Sequence, residues 1–269
     1  MIDGKTNILG VIGDPIEHTF SPAMQNAGLQ SLGLNYVYLP FHVKGNRLSD
    51  AIGGAKGLGI KGLNVTIPHK SNVIPFLDDI DPIARMIGAV NTIKFDYGDG
   101  EVFTKGFNTD AYGCLRAIAF QMACSGIDEL SILNRNYEKA KSLKEELRSN
   151  LNKQEYDFNN VNAYEIDDLK RVLDSSDILI DTTPIGMYPN VNDKPIASAD
   201  MMHEDLVVND IVYTPMETSL IKEAKKANAE VVYGYKMLLY QGIRSFEIWL
   251  GKEAPVNIME KALLDVLGI

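Results

Sequence analysis

Asn7-Ile-Leu-Gly-Val-Ile-Gly-Asp-Pro-Ile-Glu-His-Thr-Phe-Ser-Pro22 is the stretch that decides the fold class. Its first half is a short apolar, β-branched run, which predicts a strand over residues 7–12. Ser21 then reads as an N-cap with Pro22 at the first helical position, and Gly33 supplies the stop, so a helix is expected over residues 22–32. A second strand-like run at residues 36–41 follows at once. Strand, helix, strand in that order argues for a βαβ unit and a largely parallel sheet. Further along, the pattern predicts a helix over 48–58 ending at Gly59, and a strand over 62–65. Runs at 90–95 and 101–107 flank Tyr97-Gly-Asp-Gly100, a hairpin signal, so the first sheet is mixed. After Asp110 the texture changes to longer, charged helices, notably 137–150, between buried-looking strands at 130–133, 178–181 and 207–211. Amphipathic helices over 236–250 and 256–267 close the chain, separated by Gly251 and Pro255. Residues 150–162 read as a loose loop.

The chain has 269 residues, 45% hydrophobic and 23% charged, with a formal net charge of -10. That length suits one large or two modest domains. The negative charge argues against nucleic acid or an anionic membrane surface as a general partner, and an anionic ligand would need a local basic site. No apolar run is long enough to span a bilayer, and residues 1–6 carry no export signal, so a cytoplasmic location is expected. Cys114 and Cys124 have no CxxC spacing, and His18, His42, His69 and His203 are scattered. Buried thiols and the absence of a metal are therefore expected.

Three polar clusters stand out: Asn64-Val-Thr-Ile-Pro-His-Lys70, Gly88-Ala-Val-Asn-Thr92 and Gly106-Phe-Asn-Thr-Asp110. The first puts an ammonium group just beyond the carboxyl end of a predicted strand, where open α/β sheets bind ligands. An ordinary lysine is a poor base at neutral pH; desolvation, a neighbouring charge or a proton-sharing carboxylate must tune it. Asp110 is the candidate partner, and a surface Lys70 with Asp110 capping the next helix is the plainer alternative. Asn91 and Asn108, with the hydroxyls of Thr19, Ser21 and Thr66, both donate and accept, which suits a polyhydroxylated ligand. Cap and turn chemistry explains any one of them taken alone.

Taken with Asp14-Pro-Ile-Glu-His-Thr-Phe-Ser-Pro22, Asn134-Arg135, Thr183-Pro-Ile-Gly-Met187 and Gln241-Gly-Ile-Arg-Ser-Phe246, these clusters resemble the shikimate dehydrogenase family, in order and over nearly the whole chain. The resemblance implies an NADP-dependent α/β oxidoreductase that interconverts shikimate and 3-dehydroshikimate in aromatic amino acid biosynthesis. It implies a substrate domain over 1–110, a Rossmann-like domain over 111–234 and C-terminal helices over 235–269 returning to the first domain. Lys70 and Asp110 resemble the catalytic pair; Thr19, Ser21, Thr66, Asn91, Asp110, Tyr213 and Gln241 resemble the substrate-holding residues. On the cofactor side, Asn134, Arg135, Asn136, Lys139, Thr183, Ile211 and Gly234 take the matching positions. Three departures are visible. Thr19 stands where the family has serine, which adds a methyl group to the carboxylate site and bears on shikimate against quinate. Gln25 replaces a common histidine. Lys236 replaces a glycine, and either hinders the nicotinamide or pairs with a phosphate.

A dinucleotide fold needs a strand, a glycine-rich turn and a helix N-terminus to hold the pyrophosphate. Residues 130–133 make a good second strand, and a basic Arg135 after it, with Lys139 beyond, favours a 2′-phosphate. Upstream the arithmetic fails. Only 25 positions separate Asp110 from Arg135, whereas two helices, two strands and their turns need well over roughly 30. Residues 111–126 read as one apolar helix, and Gly113 and Gly126 make no GxGxxG. The Rossmann-like domain is therefore expected to lack its first strand and glycine loop, through a natural deletion, a sequence artefact or repurposing. Two rival functions follow: a catalytically silent shikimate-binding protein, or a quinate dehydrogenase. A homodimer is compatible with the sequence and not required by it.

Overall fold

In a computed structural model, residues 2–98, 100–109, 115–153, 158 and 160–268 are described. The chain divides into two compact units, Met1–Thr109 with Leu239–Ile269, and Asp110–Leu238. The second division falls inside a helix, four residues past the boundary expected at 234.

The first unit holds a six-stranded sheet. Its strands are β1 (Asn7–Gly13), β2 (Tyr36–His42), β3 (Gly62–Val65), β4 (Asp79–Ile80), β5 (Thr92–Gly98) and β6 (Glu101–Phe107), in the order β2-β1-β3-β5-β6-β4. Strand β1 is parallel to β2 and β3, while β5 runs antiparallel to both β3 and β6. Helix α1 (Ser21–Ser31) makes the first crossover. Ser21 is not its cap: Phe20 takes that position with no side-chain bond, and Ser21 is the first helical residue. At the other end Gly33 adopts φ +62° as expected of a helix stop. Helices α2 (Leu48–Gly57) and α3 (Pro82–Ile87) follow. Ile12, Ile52, Leu63, Val73, Ile93 and Phe95 are among the residues of one buried cluster.

The sheet's tolerance for a bulky neighbour is set by one glycine. Trp249 donates its indole N–H to the Ile93 carbonyl at 2.9 Å, and a Cβ on Gly62 would lie 2.3 Å from that ring. Only a residue without Cβ lets the indole approach the strand that closely.

The second unit contains α4 (Leu115–Cys124), β7 (Leu130–Asn134), α5 (Tyr137–Lys153), β8 (Val161–Glu165), α6 (Leu169–Leu173), β9 (Ile178–Asp181), β10 (Val207–Asp210), α7 (Ser219–Lys226) and β11 (Glu230–Val232). Helix α8 (Tyr235–Leu250) crosses the division, and α9 (Val256–Leu267) ends the first unit. In α5, Ala140, Leu143, Leu147 and Leu151 are buried at spacings of three and four, the apolar stripe of an amphipathic helix. It runs three residues further than expected and shortens the predicted loop. All ladders here are parallel, and among the described residues they form two sheets, β7-β8 and β9-β10-β11. No strand precedes β7 in this unit among the described residues. Cys124 is a free, half-buried thiol whose pKa is raised by burial; Cys114 lies outside the described residues.

Candidate functional site

The row Ile12–Val65, Asn64–Thr92 and Thr92–Phe107 aligns one end of the first sheet across four strands. Thr19 and Ser21 follow β1 at that end, Thr66 and Lys70 follow β3, Asn91 precedes β5, and Asn108 and Thr109 follow β6. Segments far apart in the chain are thus gathered by strand direction alone. Thr66 donates its backbone N–H to the Ile12 carbonyl at 2.9 Å, and the Lys70 carbonyl accepts Val90 N–H at 2.8 Å. Lys70 is half-buried, Thr19 and Thr66 likewise, and Ser21 is buried. The Thr19 hydroxyl accepts Ser21 N–H at 3.4 Å. His69 is fully buried, donating Nε2–H to the Val43 carbonyl at 2.6 Å, while its Nδ1 has no partner. Asp110 lies outside the described residues.

Beneath these groups sits a polar network that sequence reasoning missed. Asn64 Nδ2 donates to the Ser245 hydroxyl at 2.9 Å, and to the Asn91 carbonyl and Thr92 hydroxyl at 3.1 Å each. Its Oδ1 accepts the Tyr38 hydroxyl at 2.7 Å, and burial pushes that phenol's pKa well up. Asn91 Oδ1 accepts Thr109 N–H at 2.7 Å, and its Nδ2 donates to the Thr109 hydroxyl at 2.9 Å. Asn91 is 2% exposed, so its clearest work here is to position the Asn108–Thr109 segment. Asn108 donates to the Ala89 carbonyl at 2.9 Å, whereas its buried Oδ1 accepts nothing. Gln25, fully buried, donates to the Gly242 carbonyl at 2.8 Å beside Gln241, and its Oε1 is also without a donor. The polar clusters read from the sequence contain Asn64, Asn91, Thr92 and Thr109, but no local signal joins them to one another or to Tyr38 and Ser245. Replacing Asn64 strands several buried groups at once, so Asn64→Ala is expected to cost about 2 kcal/mol in urea unfolding; an unchanged midpoint would show that the network is dispensable.

In the second unit the expected cofactor residues lie at or just beyond carboxyl ends of parallel strands, except Lys139, which is in the first turn of α5. Asn134 ends β7, Thr183 follows β9, Ile211 follows β10 and Gly234 follows β11. Asn134 Oδ1 accepts Asn136 N–H at 2.9 Å, and Asn136 Oδ1 accepts Glu138 N–H at 3.1 Å, two turns that lead the chain into α5. Arg135 and Lys139 are exposed, and no ion pair among the described residues engages either. Thr183 donates its N–H to Asp181 Oδ1 at 2.8 Å, and Ile211 N–H reaches the Asp181 carbonyl at 3.1 Å. A Cβ on Gly234 would meet the carbonyls of Asp210, Ile211 and Val212 within 2.7 Å, so only glycine fits there. Lys236 Nζ lies 5.4 Å from the Tyr235 ring centroid. Tyr213 is half-buried, its pKa raised by burial.

Two buried carboxyls are a further feature that sequence reasoning did not single out. Asp210 accepts Val212 N–H at 2.9 Å and the Thr218 hydroxyl at 2.6 Å. Asp181 is 2% exposed and its Oδ2 has no partner. Burial, with the Asp210 charge adding to it, pushes Asp181 up to about 6. No group of three or more His, Cys, Asp or Glu among the described residues is placed to hold a metal ion. No helix among them is long and apolar enough to cross a membrane.

Residues 11–93 match the shikimate dehydrogenase substrate-binding domain, and residues 234–264 the shikimate 5′-dehydrogenase C-terminal domain. A curated shikimate dehydrogenase (NADP(+)) of Methanobrevibacter smithii is 50% identical, with the whole of both chains covered. The chain belongs to the shikimate dehydrogenase family. A solved shikimate dehydrogenase in complex with NADP+ is 41% identical at TM-score 0.81, covering 99% of this chain and 97% of that one. Shikimate 5-dehydrogenase from Listeria monocytogenes, solved with shikimate and NAD, is 33% identical at TM-score 0.87, covering 97% and 98%. The alignment with the M. smithii shikimate dehydrogenase runs over 292 positions against the 269 residues here, so at least 23 positions are filled by the relative alone.

Proposed function

We propose that this protein is an NADP-linked shikimate dehydrogenase, acting in the cytoplasm on the reversible conversion of 3-dehydroshikimate to shikimate. The observation that supports it most is the gathering of Thr19, Ser21, Thr66, Lys70 and Asn91 at one end of the first sheet, in the family's own motifs. In this reading the hydroxyls of Thr19 and Ser21 hold the substrate carboxylate. Thr66, Gln241 and Tyr213 hold its hydroxyls, joined by the remaining N–H of Asn91. Asn108 Oδ1, buried without a donor, fits a hydroxylated ligand, since an orphaned acceptor is costly until something donates to it. The Lys70 ammonium group carries the proton of the reacting hydroxyl, and Asp110 shares it. NADP, when bound, supplies the hydride-accepting nicotinamide.

The residues present fit one end of that cofactor. Arg135 and Lys139 give the 2′-phosphate two exposed cations at the end of β7, and Asn134, Asn136, Thr183, Ile211 and Gly234 line the strand ends beyond it. Residues 111–126, ahead of β7, contain no GxGxxG that could form a backbone cradle for the pyrophosphate; the one at Gly57–Gly62 leads into β3 of the first unit. We infer that the positions found only in the relative include that strand and loop. Arg135→Ala is expected to narrow the NADP-over-NAD preference about tenfold, the loss of one charge-assisted contact. An unchanged ratio would mean the 2′-phosphate is read elsewhere.

The direct test is NADPH formation from shikimate and saturating NADP by folded protein. Turnover supports the assignment. A folded protein that binds shikimate without turnover or NADP affinity would support the silent binding protein instead. Faster turnover of quinate than shikimate would make it a quinate dehydrogenase, to which the extra methyl of Thr19 is relevant. Sedimentation in the same buffer reads out whether it acts as a homodimer.

A further inference from the structure

The two parallel sheets of the second unit leave specific backbone groups without ladder partners. In a parallel ladder, successive residues direct their N–H and C=O groups alternately to the two sides. Leu130 N–H donates to the Asn160 carbonyl, which assigns Leu130, Ile132 and Asn134 to the β8 side and turns Ser131 and Leu133 the other way. The Asp177 carbonyl accepts Val207 N–H and the Asp181 carbonyl accepts Ile211 N–H, so Ile178 and Ile180 face away from β10. Among the described residues no strand pairs with β7 or β9 on that side.

A cavity of about 590 Å³ lies against both free edges, lined by residues 130–133 of β7 and 178–181 of β9, with Ile118 and Met122 of α4 on its wall. A residue in a packed strand takes up about 3.3 Å along the strand, 4.8 Å across and 10 Å through the sheet, roughly 160 Å³. The cavity therefore holds about four residues, the length of β9. Apolar side chains such as Ile132, Leu133 and Leu179 line it together with polar ones such as Glu129 and Ser176. In a doubly wound sheet of order 3-2-1-4-5-6, the place between the second and fourth strands belongs to a further parallel strand. The M. smithii relative has at least 23 positions that this chain lacks.

We propose that this slot binds an extended, β-branched apolar peptide in trans, as a parallel strand between β7 and β9. Such strand addition supplies main-chain hydrogen bonds on both sides and covers the apolar walls, the two things an open edge lacks. The claim concerns binding and stands whether or not the protein turns over shikimate.

The test uses the full chain and the acetylated, amidated peptide Lys-Val-Ile-Val-Ile-Ser, in calorimetry and amide hydrogen exchange. Saturable one-to-one binding is expected, with exchange at Ser131, Leu133, Ile178 and Ile180 slowed at least about tenfold and the β11 edge unchanged. The same peptide N-methylated at alternate residues should bind at least about tenfold more weakly. So should the Ser131→Pro protein, which loses a donor facing the slot but keeps the β7-β8 ladder. The proposal is overturned by absence of binding, by binding without protection of those amides, or by N-methylation having no effect. A small apolar dye that occupies the slot while the peptide does not would make it an apolar ligand cavity and would equally overturn the proposal.

Discussion

Lys70→Ala is expected to lower kcat for shikimate oxidation by about a hundred- to ten-thousand-fold, the usual contribution of a positioned proton-transfer group, while KM and the calorimetric affinity for shikimate stay within a few-fold. The asymmetry follows from the site. Lys70 stands at the end of the sheet that also carries Thr19, Ser21, Thr66 and Asn91; in the proposed reading ground-state binding is spread over many hydroxyls and amides, whereas proton transfer falls on Lys70 and Asp110. Its main chain is held by the bond from Val90 N–H, so removal of the side chain leaves the loop in place. A parallel loss in affinity and turnover would make Lys70 a binding residue. Turnover near that of the unaltered protein would remove it from the mechanism.

Asp181→Asn is expected to stabilise the protein at pH 7 by about 2 kcal/mol and to leave it nearly unchanged at pH 4. The Asp181 carboxyl is raised from 3.8 to about 6, first by burial and then by the charge of Asp210, against the opposing bond from Thr183 N–H. An acid whose folded pKa is raised contributes stability that is whole below the unfolded value. That contribution erodes as pH rises from 3.8 to about 6 and is absent above. Two pKa units correspond to about 3 kcal/mol, and part of this is offset in the variant by an amide N–H with no acceptor. Asp210 is raised in the same direction, chiefly by burial, and titrates in both proteins, so the difference between them isolates Asp181. Urea unfolding at pH 4 and pH 7 measures it. Equal gains at both pH values would mean that Asp181 is not held neutral in the folded state.

Most elements of this chain were legible from local pattern. Strand β3, strand β9 and helix α9 have the expected limits, and β1, β2, α2 and α8 differ by a residue or two, because periods of two and 3.6 are written in neighbouring residues. The helix start at Ser21 was misread: Ser-Pro is a cap signature, yet the hydroxyl is turned to other work and Phe20 sits where the cap belongs. Of the candidate site, the contiguous motifs around Thr66–Lys70, Asn91 and Asn134–Arg135 could be named in advance. Strand direction then explains why Thr66–Lys70 and Asn91 lie at one end of the first sheet. The Asn64 network could not be named, because its Tyr38 and Ser245 partners lie 26 and 181 positions away, and no local pattern encodes which distant hydroxyl will face an amide.

By itself, then, the sequence determined the family, the alternation of strands and helices, the chemistry available at the strand ends and the absence of GxGxxG from residues 111–126. Tertiary structure alone decided which strands pair. Parallel neighbours are joined through long crossovers, so a strand's partner is chosen by packing and register rather than by its own residues. Among the described residues that choice left β7 and β9 each with an unpaired edge beside a cavity, and it buried the carboxyl of Asp181 where solvation no longer holds its charge.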